Sequence, residues 1–145
     1  MKKVEIYTDG ACSVNPGKGG WAAILLYNGH QKTISGAEAE TTNNRMELLA
    51  VIKGLEALKE VCQVIVYSDS AYVVNAFIQG WVYNWQRNGW AKKGGEVKNI
   101  DLWEQLLALT QTHKVQFVKV KGHSDNEYNN LCDEEARKAI KSINN

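Results

Sequence analysis

A single α/β domain built on a mixed sheet is the fold this chain predicts, and three observations carry the prediction. The opening third alternates like β-strands and contains an Asn28-Gly29 pair. Apolar residues then recur at helical spacing from Leu48 to Leu58. A short apolar run, Val64-Ile65-Val66-Tyr67, follows them. Sequential antiparallel strands followed by helix–strand alternation imply helical crossovers between parallel strands.

Val4 to Thr8 places Val4, Ile6 and Thr8 on one face, as a half-buried strand does. The run Asn15-Pro16-Gly17-Lys18-Gly19-Gly20 predicts a turn, and Trp21 to Tyr27 the next strand. Asn-Gly is the strongest short hairpin signal, so Gln31 to Ala37 is expected to return antiparallel. Leu48, Val51, Leu55 and Leu58 predict a helix over 44–59. The 64–67 run predicts a strand covered on both faces. Helices are expected over 68–77, 81–86, 102–109 and 133–143, with a last central strand over 115–120.

The bulk composition narrows the class. A length of 145 residues suits one domain spanning the chain, without linker or repeat. Hydrophobic content of 44% with 23% charge excludes a disordered chain. A net charge of +1 means any attraction for a polyanion must come from local clusters. Cys12, Cys62 and Cys132 are odd in number and widely spaced, which argues for a reducing compartment and against a disulfide framework. With His30, His113 and His123 they show no zinc-ligand spacing. The MKKVEIYTDG start has no signal-like apolar run and no stretch is long enough to cross a membrane, so the expectation is a cytoplasmic monomer without an obligate protein partner.

Four acids stand near the expected ends of elements. Asp9 follows the first strand, Asp69 the 64–67 strand, Glu47 lies in the first turn of the first long helix and Asp133 opens the last. Each has a structural alternative: a turn pair for Asp9-Gly10, a helix cap for Asp69, a capping box with Asn44 for Glu47, and dipole compensation for Asp133. Were the first and fourth strands adjacent and parallel, Asp9 and Asp69 would meet beyond their carboxyl ends, where α/β sheets bind ligands. Clustered carboxylates repel one another unless cations neutralise them. All-oxygen ligation selects Mg²⁺ or Mn²⁺, and a pair of such ions about 4 Å apart suits phosphodiester hydrolysis.

The segments Tyr7-Thr8-Asp9-Gly10-Ala11, Asn15-Pro16-Gly17, Thr42-Asn43-Asn44-Arg45-Met46-Glu47-Leu48, Tyr67-Ser68-Asp69-Ser70 and Lys121-Gly122-His123 through Asp133 together resemble type 1 ribonuclease H. The resemblance runs the length of the chain in order. It implies a five-stranded ribonuclease H-like sheet, three antiparallel strands then parallel ones, with helices on both faces. It also implies endonucleolytic hydrolysis of the RNA strand of RNA–DNA hybrids, leaving 5′-phosphate and 3′-hydroxyl ends. Asp9, Glu47, Asp69 and Asp133 match the family's metal-binding carboxylates, expected to hold two Mg²⁺ with Mn²⁺ as a substitute. His123 matches its mobile histidine, linked to proton transfer or product release.

The same resemblance places Asn15, Asn43 and Asn44 near the nucleic-acid backbone and minor groove, and Thr42 at a DNA phosphate. Amides suit discrimination of 2′-hydroxyls because they both donate and accept. From Gly80 to Lys98, Arg87, Lys92, Lys93 and Lys98 oppose only Glu96 and are interleaved with Trp81, Trp85 and Trp90. This composition suits a nucleic-acid platform and resembles the family's basic protrusion. Trp81 and Trp85, at i and i+4, are expected to pack on the core. The chain departs from the family at Ala71, where glutamine is frequent, in a longer interval from Asp69 to Trp81, and in an acidic loop at 124–128. Another nuclease on the same fold and a non-catalytic hybrid-binding module are the competing readings.

Overall fold

In the computed structural model, which describes residues 1–122 and 126–143, Asn28 and Gly29 both take positive φ, 50° and 84°. That is the two-residue hairpin turn whose twist matches its flanking strands. It joins β2 (Gly17–Tyr27) to β3 (His30–Thr41), and β1 (Lys2–Cys12) pairs antiparallel with the other edge of β2. Two of these strands outrun the pattern that announced them. β1 continues through Asp9, and the glycine run expected to turn is strand from Gly17 onward. Gly19 and Gly20 pair with Cys12 and Ala11. A Cβ on Gly20 would sit 2.2 Å from the Ala136 carbonyl oxygen, so the missing side chain serves helix–sheet approach rather than a turn.

After β3 come α1 (Asn43–Glu56) and β4 (Cys62–Ser68), which runs parallel to β1 in the register Tyr7 opposite Tyr67. α2 (Ala71–Ile78) and α3 (Trp81–Arg87) lead into a short hairpin, β5 (Ala91–Lys92) with β6 (Gly95–Glu96). α4 (Ile100–Thr112), β7 (Lys114–Lys119) and α5 (Glu127–Ser142) complete the chain. The five-stranded sheet has the order β3-β2-β1-β4-β7. β7 is therefore an edge strand and not the central one expected.

Helices cover opposite faces. Gly54 of α1 lies against Ile6 and Ala23, whereas Ala136 of α5 lies over Gly20, on the other side of β2. Because α5 packs on β1, β2 and β3, it leaves β4 half open. Cys62, Val64, Val66 and Ser68 are buried while Ile65 and Tyr67 are only half-buried, correcting the expected double cover.

The remaining helices form an aromatic cluster around fully buried Trp103, with Trp85 at 5.5 Å and Phe77 at 6.1 Å between ring centres. Trp85 packs as expected, but Trp81 is 46% exposed. The Tyr72 hydroxyl accepts from Trp103 Nε1 (3.2 Å) and Asn99 Nδ2 (2.9 Å). Asn99 Oδ1 accepts in turn from Arg45 Nη1 at 3.2 Å. Arg45 also forks onto both Asp101 carboxylate oxygens, at 3.0 and 2.8 Å. This bracket fixes the start of α1 against α2 and α4.

Candidate active site

Parallel pairing of β1 and β4 brings their carboxyl ends side by side, and Asp9 and Asp69 each stand two residues beyond the stacked pair Tyr7 and Tyr67. Glu47, the fifth residue of α1, reaches them because α1 presses directly onto β1 at Gly10. A Cβ there would meet Met46 C at 2.4 Å and Glu47 N at 2.5 Å. One carboxylate oxygen each from Asp9, Glu47 and Asp69 lie within 4.8 Å of one another. Oxygens on opposite sides of an octahedral Mg²⁺ stand about 4.2 Å apart, twice the ~2.1 Å bond, so a small contraction would close this set on one ion. Asp133 lines the same cleft, of about 310 Å³, with Asn43, Asn129 and Asn130.

The structural alternatives for these acids lose their basis. Asp9 is paired within β1 opposite Ala22 and is not in a turn. Ser70, not Asp69, caps α2, its Oγ accepting from Val73 N at 3.3 Å. Thr42, not Asn44, caps α1, accepting from Arg45 N at 3.2 Å. Glu47 therefore sits a turn inside the helix with no capping box, correcting its expected place in the first turn. Asp133 does not open its helix either: α5 starts at Glu127 with Asn126 as cap, and Asp133 is its seventh residue, paired with Arg137.

The electrostatics are those of crowded, buried carboxylates. Burial, then the Asp69 and Asp133 charges, push Asp9 up to about 8, with the Gly10 amide, which donates to Oδ1 at 3.0 Å, offsetting part of the rise. Burial, followed by Asp9 and Asp69, holds Glu47 well above the usual carboxylate range. Glu47 Oε2 is buried with no hydrogen-bond partner among the described residues. A buried, unpartnered carboxylate oxygen is costly, and a hard cation would satisfy it. The donor set therefore fits a divalent metal.

A pH dependence follows. Asp9 and Glu47 have folded pKa values above their unfolded ones, so the stability they contribute is complete below about pH 4 and is lost as pH rises through about 8. In chelator, the melting temperature is expected to fall over that window, and Mg²⁺ to restore it at pH 8. Thermal melts from pH 4 to 9 check this, and an Asp9→Asn variant with an equally steep fall would contradict it.

The other residues singled out from sequence divide by location. Asn15 Oδ1 accepts from Asn43 N at 3.2 Å, tying the loop after β1 to the start of α1. Asn43 and Asn44 are exposed beside the cleft, and Thr42 is half-buried as the cap. Arg87, Lys92, Lys93 and Lys98 are all exposed, from the end of α3 to just past β6. His123 and the loop residues Ser124 and Asp125 lie outside the described residues. Asn129 and Asn130 were not anticipated in the cleft; they stand four and three residues before Asp133, the helical neighbours a longer α5 would have revealed.

A five-stranded mixed sheet with carboxylates gathered at the carboxyl ends of two parallel strands defines an α/β protein with a candidate divalent-metal centre. The RNase H family model matches residues 1–141. A ribonuclease H of Acetivibrio thermocellus is 61% identical over 142 residues, covering 97% of each chain. One of Caldicellulosiruptor saccharolyticus is 60% identical over 144 residues, covering 99% of each. Among solved structures, LC9-RNase H1, described as a type 1 RNase H with the type 2 active-site motif, superposes with a TM-score of 0.88 at 28% identity, over 98% of this chain and 74% of that one. LC11-RNase H1 in complex with RNA/DNA hybrid gives 0.73 at 25% identity, over 97% and 98%. The chain belongs to the ribonuclease H family. No helix of the described residues is long and apolar enough to cross a membrane.

Proposed function

We propose that this chain is an endonuclease that hydrolyses the RNA strand of RNA–DNA hybrids, leaving 5′-phosphate and 3′-hydroxyl ends. The observation that carries the reading is the convergence of Asp9, Glu47 and Asp69 around the unpartnered Glu47 Oε2. A module that only bound hybrids would gain nothing from uncompensated acids facing phosphates. Two Mg²⁺ held by Asp9, Glu47, Asp69 and Asp133, or Mn²⁺ in their place, would supply Lewis-acid activation of water and charge neutralisation at the scissile phosphate.

The remaining roles belong to the chain's own side chains. Asn15, Asn43 and Asn44 present amides beside the cleft, suited to reading 2′-hydroxyls and groove width. Thr42 and the exposed Arg87, Lys92, Lys93 and Lys98 hold the DNA backbone, which makes affinity fall with salt. His123 accelerates the reaction through proton transfer or product release, roles the engaged carboxylates cannot take. The whole chain, protrusion included, acts as one catalytic domain and as a monomer in the cytoplasm, in keeping with its three free cysteines.

A strand-labelled hybrid, duplex DNA and duplex RNA, each with and without Mg²⁺, test the reading. The expected result is Mg²⁺-dependent cutting of the hybrid's RNA strand alone. Preferential cutting of duplex DNA would defeat it.

A further inference from the structure

Three tyrosines are in ring contact close to the carboxylates in sequence, Tyr7 and Tyr67 each two residues before one of them. Tyr7 of β1 and Tyr67 of β4 lie face to face, with ring centres 4.4 Å apart and planes 10° from parallel. Tyr128, in the first turn of α5, lies against Tyr7 at 5.2 Å between ring centres, tilted by 36°. The Tyr67 hydroxyl is fixed by donating to Glu5 Oε2 at 2.7 Å. All three rings are half-buried. None of them faces the cleft that the acids line.

The same Tyr7 receives α5 a second time. One turn beyond Tyr128, the Cys132 thiol donates to the Tyr7 carbonyl oxygen at 3.1 Å. The next residue is Asp133, and two residues after Tyr7 is Asp9. The C-terminal half of α5 already rests on β2, with Ala136 and Ile140 over Gly20, and the two contacts to Tyr7, one turn apart, hold the half that carries Asp133. That hold matters because Asp133 lines the cleft with Asp9 and also pairs with Arg137 on its own helix.

We infer that Tyr128 is a positioning residue of the metal site: leaning on Tyr7, it fixes the first turns of α5 and so holds Asp133 in the carboxylate cleft. The inference rests on the metal reading proposed above. Residues that orient metal ligands without touching the metal commonly change metal affinity by about 10- to 100-fold when replaced. An aromatic pair contributes beyond its buried area through ring geometry, so phenylalanine should serve as well as tyrosine and an aliphatic side chain should not.

The test compares the wild type with Tyr128→Phe, Tyr128→Leu and Tyr128→Ala. Its readouts are calorimetric titration with Mn²⁺ and the Mg²⁺ concentration giving half-maximal hybrid cleavage. Tyr128→Phe is expected to match the wild type. Tyr128→Leu and Tyr128→Ala are expected to bind Mn²⁺ on the order of tenfold more weakly, and to need correspondingly more Mg²⁺, with KM for hybrid unchanged at saturating metal. Should Tyr128→Ala fail to fold, Tyr128→Leu carries the test, since it keeps apolar cover over Tyr7. Leucine and alanine variants that bind Mn²⁺ as the wild type does, whatever their melting temperatures, overturn the positioning role alone. A wild type that takes up no Mn²⁺ overturns the metal reading and this inference with it.

Discussion

Asp9→Asn is expected to remove hybrid cleavage while making the metal-free protein more stable. The two effects share one cause. Asp9 is buried among carboxylates, and its ionisation is opposed by burial and by the Asp69 and Asp133 charges. Asparagine is nearly isosteric and carries no charge, so the repulsion disappears and the Gly10 amide still has an oxygen to meet. At neutral pH in chelator the melting temperature should rise by about 5 °C, the scale of a 1–2 kcal/mol gain for a domain of this size. Cleavage should fall by about a thousandfold or more. A metal contributes several kcal/mol to charge stabilisation in the transition state, and each ~1.4 kcal/mol is a tenfold change in rate. Hybrid binding should persist, because the exposed amides and lysines are untouched. Melting curves and single-turnover cleavage check both halves. Undiminished cleavage, or a lower melting temperature, would contradict them.

Gly10→Ala should fail differently, by moving the metal site apart. The added methyl would lie 2.4 Å from Met46 C and 2.5 Å from Glu47 N. These are backbone atoms of α1 and cannot swing aside as a flexible side chain can. The helix must withdraw from β1, and its cost exceeds an ordinary core overpacking of about 1–3 kcal/mol. Withdrawal carries Glu47 away from Asp9 and Asp69, so cleavage should drop by about a hundredfold or more even well below the melting temperature, 1 Å of misplacement being enough for that loss. Denaturant unfolding with parallel assays at 10–15 °C separates the two effects. A variant that is destabilised yet fully active when folded would show that Glu47 does not depend on this contact.

What the residues disclosed in advance was whatever their local chemistry encodes. The alternation of Val4, Ile6 and Thr8, the Asn28-Gly29 turn and the period of Leu48, Val51 and Leu55 each report on a few neighbouring positions, and the structure carries all three. Boundaries went astray where that signal was blank or crowded. Gly17, Gly19 and Gly20 have no side chain to alternate, so a strand passed for a turn. Thr41, Thr42, Asn43 and Asn44 offer four capping residues in a row, and only tertiary packing selects Thr42. The first turn of α5, Glu127-Tyr128-Asn129-Asn130, is polar on its surface pattern. The helix was consequently placed one turn and more too late, which put Asp133 at its start.

Two further features were beyond any local pattern. β7 is an edge strand because of how the chain crosses over, although its run Val115-Gln116-Phe117-Val118 reads like an interior one. The β5–β6 hairpin has only two residues in each strand, too few for a period to register. The family resemblance groups Asp9, Glu47, Asp69 and Asp133; the first three come within 4.8 Å of one another and the fourth lines their cleft, while Ser70, Thr42 and Asn126 cap the helices.

Anomalous diffraction from crystals soaked in Mn²⁺ puts the central claim to its most direct trial. A peak is predicted in the cleft, with oxygens of Asp9, Glu47 and Asp69 each about 2.0–2.3 Å away, and with Glu47 Oε2 or its partner oxygen no longer unliganded. An empty cleft at saturating Mn²⁺, or a peak bound only by surface acids such as Glu134 and Glu135, would contradict it.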